Sequence, residues 1–224
     1  IDLPNNHWAF SRTELQTSLA ASVSIINDFG AQVLSINQLC ESELKWLGAP
    51  RPKGGQVMAV LGPGTGLGVS AMMPSGFILP SEAGHVAFAP VNNHELNLLK
   101  TLWQRYERVS VERILSGMGL ANLYWANCQL DGVERELTAP DITAGARAGD
   151  EYCVRTVNDF CAILGSVAGD VALMTGANDG VYLSGGILPR ILDLLDEDIF
   201  RKRFNSKGRF SGICQNIPLA IVLA

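Results

Sequence analysis

The run Val57-Met58-Ala59-Val60-Leu61-Gly62-Pro63-Gly64-Thr65-Gly66-Leu67-Gly68-Val69-Ser70-Ala71-Met72 carries the first decision about the fold. Val57 to Leu61 is an apolar strand, preceded by the breaker-rich Arg51-Pro52-Lys53-Gly54-Gly55 and followed by a glycine cluster, after which Val69 to Met72 resumes strand character. The expected unit is strand, glycine turn, strand. The turn lacks the Gly-Lys-Ser/Thr ending of a P-loop and does not open a helix, so neither that motif nor a dinucleotide fingerprint fits. A glycine-rich hairpin can still wrap phosphates, because glycine lets the backbone approach an anion closely and Thr65 adds a hydroxyl donor. A purely structural tight turn accounts for the same residues.

Upstream, Ser11-x-x-Glu14 is a capping box that predicts a helix over about 12–19, and Ser22 to Ile26 reads as a buried β-branched strand running into Asn27-Asp28-Phe29-Gly30. Downstream, Leu96, Leu99, Leu102, Trp103 and Tyr106 have amphipathic-helix spacing within 93–106, and Val109 to Cys128 reads as two short helices broken around Gly117 and Gly119. Pro140 suits the first turn of a helix through Ala148, Gly149 its stop, and Asp150 the cap of a long, well-buried helix reaching about Met174. Val181 to Leu183 is a short strand running into Ser184-Gly185-Gly186, with a helix expected from about Leu188. Strands alternating with helices argue an α/β fold, with glycine clusters at strand ends, where ligands bind in such folds.

Composition narrows the function classes. The 224 residues are 47% apolar and 17% charged with 23 glycines, which suits a compact α/β enzyme of one sizeable domain, or one domain plus a piece of another. Net charge is −5, and no basic block exceeds Arg201-Lys202-Arg203, so the counterion release that drives nucleic-acid binding has no source. Five scattered cysteines form no Cys-x-x-Cys pair, which argues against a disulfide framework or zinc cage and for a reduced, cytoplasmic setting. No unbroken run of about 18 apolar residues and no opening secretion signal is expected to place the chain in a membrane or outside the cell. The chain opens on Ile1-Asp2-Leu3 without Met and closes on the apolar run Ile217 to Leu223, so it reads as cut at both ends.

Several residues could carry chemistry. Asp28, at the mouth of a strand, can cap the next helix or, pointed into a cleft, act as a general base for an attacking hydroxyl. Glu82 and His85 lie three residues apart on a Gly-containing turn. Metal clusters of that spacing sit on helices with a second copy elsewhere, so hydrogen bonding to sugar hydroxyls suits the pair better. Glu112 is either a solvated first-turn carboxylate or a ligand-facing one, and Arg113, its immediate neighbour, need not neutralise it. Ser184-Gly185-Gly186 can admit a nucleoside face or simply close a turn.

Six segments in order closely resemble the bacterial glucokinase family, of the actin/hexokinase-like fold: Asn5-x-x-Trp8-Ala9-Phe10-Ser11, Ile26-Asn27-Asp28-Phe29, Gly62-x-Gly64-Thr65-Gly66-Leu67-Gly68, Glu82-x-Gly84-His85-Val86-x-Phe88-Ala89-Pro90, Ser110-x-Glu112-Arg113-x-Leu115-Ser116-Gly117-x-Gly119-Leu120, and Ser184-Gly185-Gly186-Ile187-x-Pro189-Arg190. The resemblance implies an ATP-dependent kinase that phosphorylates the 6-hydroxyl of D-glucose. It implies Asp28 as the base, Asn5, Asn27, Asp28, Glu82, His85 and Glu112 as sugar ligands, Gly64, Thr65 and Gly66 at the ATP phosphates, and Gly185 and Gly186 near the adenosine. Mg²⁺ bridging the phosphates, a homodimer and a cytoplasmic location are implied in the same way. The related ROK sugar kinases resemble the chain less, because their Cys-rich zinc motif is missing.

Pro63 stands where the family has a small residue, removing one N–H donor, and Ala83 stands where it has Gly between Glu82 and Gly84. The family's first phosphate loop, Asp-x-Gly-Gly-Thr-Asn, is not in the chain. The expectation is therefore that 1–38 is a remnant of the small N-terminal lobe, and that 39–224 is the large lobe with the sugar site and part of the ATP site. The 224 residues alone are expected to have little or no activity. The rival readings are a catalytically silent sugar-binding regulator of the same fold, an actin-like ATP-binding module, and a kinase for another hexose. Retention of Asp28 argues against the first, and the Glu82, His85 and Glu112 set against the second.

Overall fold

A computed structural model describes residues 9–48 and 50–223. The helices are α1 (Arg12–Leu19), α2 (Asp28–Ser35), α3 (Asn93–Leu102), α4 (Gly117–Leu130), α5 (Ala139–Arg147), α6 (Glu151–Thr175), α7 (Glu197–Asn205) and α8 (Ser211–Gln215). The strands are β1 (Leu44–Trp46), β2 (Met58–Pro63), β3 (Leu67–Met72), β4 (Ile78–Leu79), β5 (Gly180–Leu183) and β6 (Leu219–Val222), in one sheet of order β1-β6-β5-β2-β3-β4. β2 and β3 form the expected antiparallel hairpin, with Gly62 opposite Gly68. β2, β5 and β6 run parallel, which requires the helical crossovers between them.

Side chains alternate across this sheet with the period of two that a pleated strand imposes. Ala59, Leu61, Val181, Leu183, Leu219 and Ile221 enter the main core with Leu123, Phe160, Leu164 and Phe200 from α4, α6 and α7. Met58, Val60, Tyr182, Ala220 and Val222 face the other way and are covered by Val33 and Ile36, on and just after α2. A central sheet buried on both faces explains why its strands read as continuous apolar runs. α6 is 25 residues long and apolar enough by composition to cross a membrane, but 61% of its most apolar window is buried against its neighbours in the core. Its ends follow local chemistry, with Asp150 Oδ1 accepting from the Cys153 N–H at 3.0 Å and Gly176 closing it in the left-handed region at φ 66°.

Four expectations are corrected. Residues 22–26 form no strand and are largely exposed, Ile25 at 45% and Ile26 at 49%, because neither edge of the sheet reaches them and a strand needs a partner ladder. Gly117 and Gly119 do not break a helix. They open α4, which runs unbroken to Leu130, and a Cβ on Gly119 would stand 2.2 Å from the Ile114 carbonyl oxygen, so glycine is what lets the helix pack there. The amphipathic helix expected to Tyr106 ends at Leu102. No α-helix starts at Leu188. Two single 3-10 turns, Leu188–Arg190 and Leu192–Leu194, fill the segment, separated by Ile191 at φ −119° ψ 15°, outside helical geometry.

Candidate functional site

One cleft of about 860 Å³ opens where the N-terminus of α2, the β2–β3 turn, the turn after β5 and the segments around Glu82 and Glu112 converge. Asn27, Asp28, Glu82 and Glu112 line it, together with Gly64, Thr65, Gly66, Gly185 and Gly186. Residues separated by up to 163 positions in the chain, Asn27 and Arg190, thus share a single cavity. Asn5 lies outside the described residues.

Asp28 is placed by two local devices. Asn27, not Asp28, is the cap of α2. The Phe29 N–H donates to Asn27 Oδ1 and to Asp28 Oδ1, both at 2.9 Å, so the bland capping role falls to the neighbour. Phe29 then docks on the hairpin. A Cβ on Gly68 would lie 1.9 Å from the Phe29 ring and one on Gly62 2.6 Å from it, so the facing glycines form a slot for that ring. The pair of glycines anchors the start of α2 over the turn, and Asp28 with it.

The Glu82 turn is held against β3. Gly84 is buried, and a Cβ there would stand 2.1 Å from the Leu67 carbonyl oxygen, so no larger residue permits this approach. Ala83, where a second glycine was expected, opens a 3-10 turn spanning Ala83–His85. Beyond it, the Val111 N–H donates to the Val86 carbonyl at 2.9 Å and the Phe88 N–H to that of Val109 at 3.0 Å, tying 82–88 to the Glu112 segment.

Glu112 sits in the 3-10 turn Val111–Arg113 with its side chain 26% exposed. Arg113 stacks over Tyr106 at 4.5 Å and forms no ion pair with Glu112 among the described residues, as the i,i+1 spacing predicts. One oxygen of Glu112 accepts from the Leu67 N–H at 3.0 Å; the other lies 3.7 Å from His85 Nδ1, beyond hydrogen-bond length. His85 does not line the cleft. Its side chain is 61% exposed at the rim beside Glu112, and its backbone carbonyl accepts from Arg108 at 2.6 Å.

On the opposite wall Gly185, at φ 94°, brings the turn after β5 so close to β2 that a Cβ would stand 2.6 Å from the Pro63 carbonyl oxygen. Pro63 donates no N–H but supplies the carbonyl against which this turn packs. Residues that line the cleft without having been singled out include Phe29, Gln32, Ser81 and Arg190. Gln32 follows Asp28 by one helical turn, a spacing that puts both on one face, and its Oε1 is buried without a hydrogen-bond partner among the described residues. Arg190 is the single Lys or Arg among the lining residues, against the three carboxylates of Asp28, Glu82 and Glu112.

Such a cleft can hold a polyhydroxylated ligand on its carboxylate side and an anion at its glycine turn. Comparison with known proteins adds the family. The family model described as Glucokinase matches residues 1–224. The glucokinase of Chromohalobacter salexigens is 43% identical over 229 residues, covering 100% of this chain and 72% of that protein; that of Caulobacter sp. is 42% identical, covering 100% and 69%. The crystal structure of a glucokinase from an Antarctic psychrotroph superposes with a TM-score of 0.91 at 35% identity, over 96% of this chain and 69% of that one. A glucokinase from Balamuthia mandrillaris solved with glucose, at 21% identity and a TM-score of 0.75, shares the fold. A family match over the whole chain, and identity above 40% to two bacterial glucokinases each covered to more than two thirds of its length, lead to one conclusion: the chain belongs to the glucokinase family.

Proposed function

We propose that this cleft belongs to an ATP-dependent kinase that transfers the terminal phosphoryl group of ATP to the 6-hydroxyl of D-glucose. The observation that carries the reading is the convergence of Asp28, Glu82 and Glu112 on one cavity with the Gly64–Gly66 turn. Asp28 takes the proton of the 6-hydroxyl as its oxygen bonds to the γ-phosphorus, and the bond from that phosphorus to the β–γ bridging oxygen breaks, releasing ADP. Asn27, Glu82 and Glu112 hold the remaining hydroxyls, with His85 closing the rim. The backbone of Gly64 to Gly66 and the Thr65 hydroxyl face the phosphates, and Gly185 and Gly186 face the adenosine.

Phosphoryl transfer of this kind needs Mg²⁺ to neutralise phosphate charge. A cleft offering carboxylates beside a phosphate turn suits an ion whose other ligands are phosphate oxygens and waters. We further propose the division near residue 38, with α2 riding on the sheet of the larger lobe, and a cytoplasmic homodimer, which sedimentation of the purified protein checks.

The test is a coupled assay of glucose, mannose and N-acetylglucosamine on the full-length protein, beside Asp28→Asn. Glucose is expected to be the best substrate. The carboxamide keeps the shape but not the base, so turnover is lost while glucose binding stays within about tenfold. Turnover of Asp28→Asn above about a tenth of the parent rate assigns the base elsewhere. Glucose binding without turnover in the parent favours the silent sugar-binding regulator instead.

A further inference from the structure

The Ser110–Gly117 segment grips the glycine turn at two points. Glu112 Oε2 accepts from the Leu67 N–H at 3.0 Å on one arm, and the Gly117 N–H donates to the Gly64 carbonyl at 2.9 Å on the other. Between these points the Gly64 N–H donates to the Gly66 carbonyl at 2.8 Å, closing the turn. The carboxylate of Glu112 also fills the space a side chain at position 66 would need: a Cβ there would stand 2.4 Å from Glu112 Oε2 and 3.2 Å from its Cδ. At Gly64, two residues away in the same turn, a Cβ would meet nothing within 4 Å. Neither Gly64 nor Gly66 has a positive φ, so alanine is conformationally allowed at both and only space distinguishes them.

We propose that Glu112 is a positioning residue that couples the sugar pocket to the phosphate turn, with the missing side chain at Gly66 fixing where its carboxylate stands. This rests on the glucokinase reading and deepens it. One oxygen is committed to the Leu67 N–H, which leaves the other to face the sugar side, where His85 Nδ1 stands 3.7 Å away. A sugar hydroxyl donating to that oxygen restricts the whole carboxylate and, through Leu67, the arm of the turn that faces the phosphates. Because one carboxylate serves both sides, a side chain at position 66 that displaces Glu112 weakens sugar binding even with no nucleotide present.

The experiment measures glucose affinity of the full-length protein by calorimetry without nucleotide. Gly66→Ala is expected to weaken glucose roughly tenfold or more, the loss of one well-made hydrogen bond to a charged group. Gly64→Ala is expected to change glucose affinity by less than about threefold, whatever it does to ATP, because nothing on the sugar side lies near it. Glu112→Asp withdraws the carboxylate from position 66, so adding Gly66→Ala in that background is expected to cost less than about twofold more. In the unaltered protein, saturating glucose alone is expected to slow amide hydrogen exchange across residues 62–68. Equal glucose affinities for Gly66→Ala and Gly64→Ala, or additive losses in the Glu112→Asp background, overturn the coupling. If Gly66→Ala does not fold, unchanged exchange in 62–68 on adding glucose overturns it instead. An unaltered protein that binds no glucose sinks the underlying reading, a result distinct from either.

Discussion

Gly68→Ala puts one methyl group into the slot that holds Phe29. The added Cβ would stand 1.9 Å from both Cδ2 and Cε2 of the ring, so the ring must retreat by about 1.5 Å before the contact becomes even tight. Gly62 walls the same slot from the facing strand, with its own Cβ position 2.6 Å from the ring, so sliding sideways along the hairpin is closed off. The movement passes to the start of α2 and to Asp28, the preceding residue. Overpacking of this kind costs ~1–3 kcal/mol of stability. A misplacement of about 1 Å at a reacting group costs ~10²-fold in rate, or ~2.7 kcal/mol of barrier. The expected outcome is therefore a fall in kcat of about a hundredfold, read by the coupled assay, with a stability loss in the range above, read by urea titration. Phe29→Leu shortens the ring and should return much of the lost rate to the Gly68→Ala variant, a non-additive result that a distant defect does not give. A Gly68→Ala protein with kcat within about threefold of the parent and unchanged stability refutes the slot as the device that places Asp28.

Three further outcomes concern the rest of the molecule. Burial pushes the thiols of Cys153 and Cys161 up to about 12 from an ordinary 9.0, while Cys40 alone is exposed, so in the native protein a single thiol should react rapidly with an aromatic disulfide reagent. Above about pH 9 the unfolded chain loses those protons and the folded one keeps them, so stability should fall as pH rises towards 12, by up to ~1.4 kcal/mol per unit for each group; a flat profile there contradicts it. Glu95, 3% exposed, accepts from the Val91 N–H, from Asn92 and from Arg203, so Arg203→Ala should cost ~3–5 kcal/mol in urea titration by stranding a buried carboxylate. The double replacement Glu95→Gln with Arg203→Met should cost less than the single one, and the reverse order rules out the stranded charge as the cause.

The parts of the fold legible in the sequence are those whose signals are local. Asp150 capping α6, Pro140 inside the first turn of α5 and the breaker cluster before β2 each act within a few residues, and the structure puts the elements where they point. The errors fall where a distant contact decides. Ser22 to Ile26 has strand composition but no strand beside it among the described residues. Gly119 looks like a breaker until the Ile114 carbonyl is seen to occupy the place of its side chain. The same limit explains why Gln32 carries no signal in the sequence: a turn or a helix face fixes direction locally, but not which wall it meets.

The glycine turn shows how far a motif misleads when read as one object. Quoted together, Gly62, Gly64, Gly66 and Gly68 suggest one purpose, close backbone approach to phosphates. The structure divides them. Gly62 and Gly68 make room for Phe29 and so set the position of Asp28; Gly66 makes room for Glu112; only Gly64 leaves open space. Three of the four therefore answer to protein side chains that arrive from positions 29 and 112, and the turn's spacing records the convergence of the segments that bear Asp28 and Glu112. Alanine at Gly64 should act on nucleotide binding alone, whereas alanine at Gly62, Gly66 or Gly68 should injure the proposed sugar side or base first, although all four lie within the same seven residues of the hairpin.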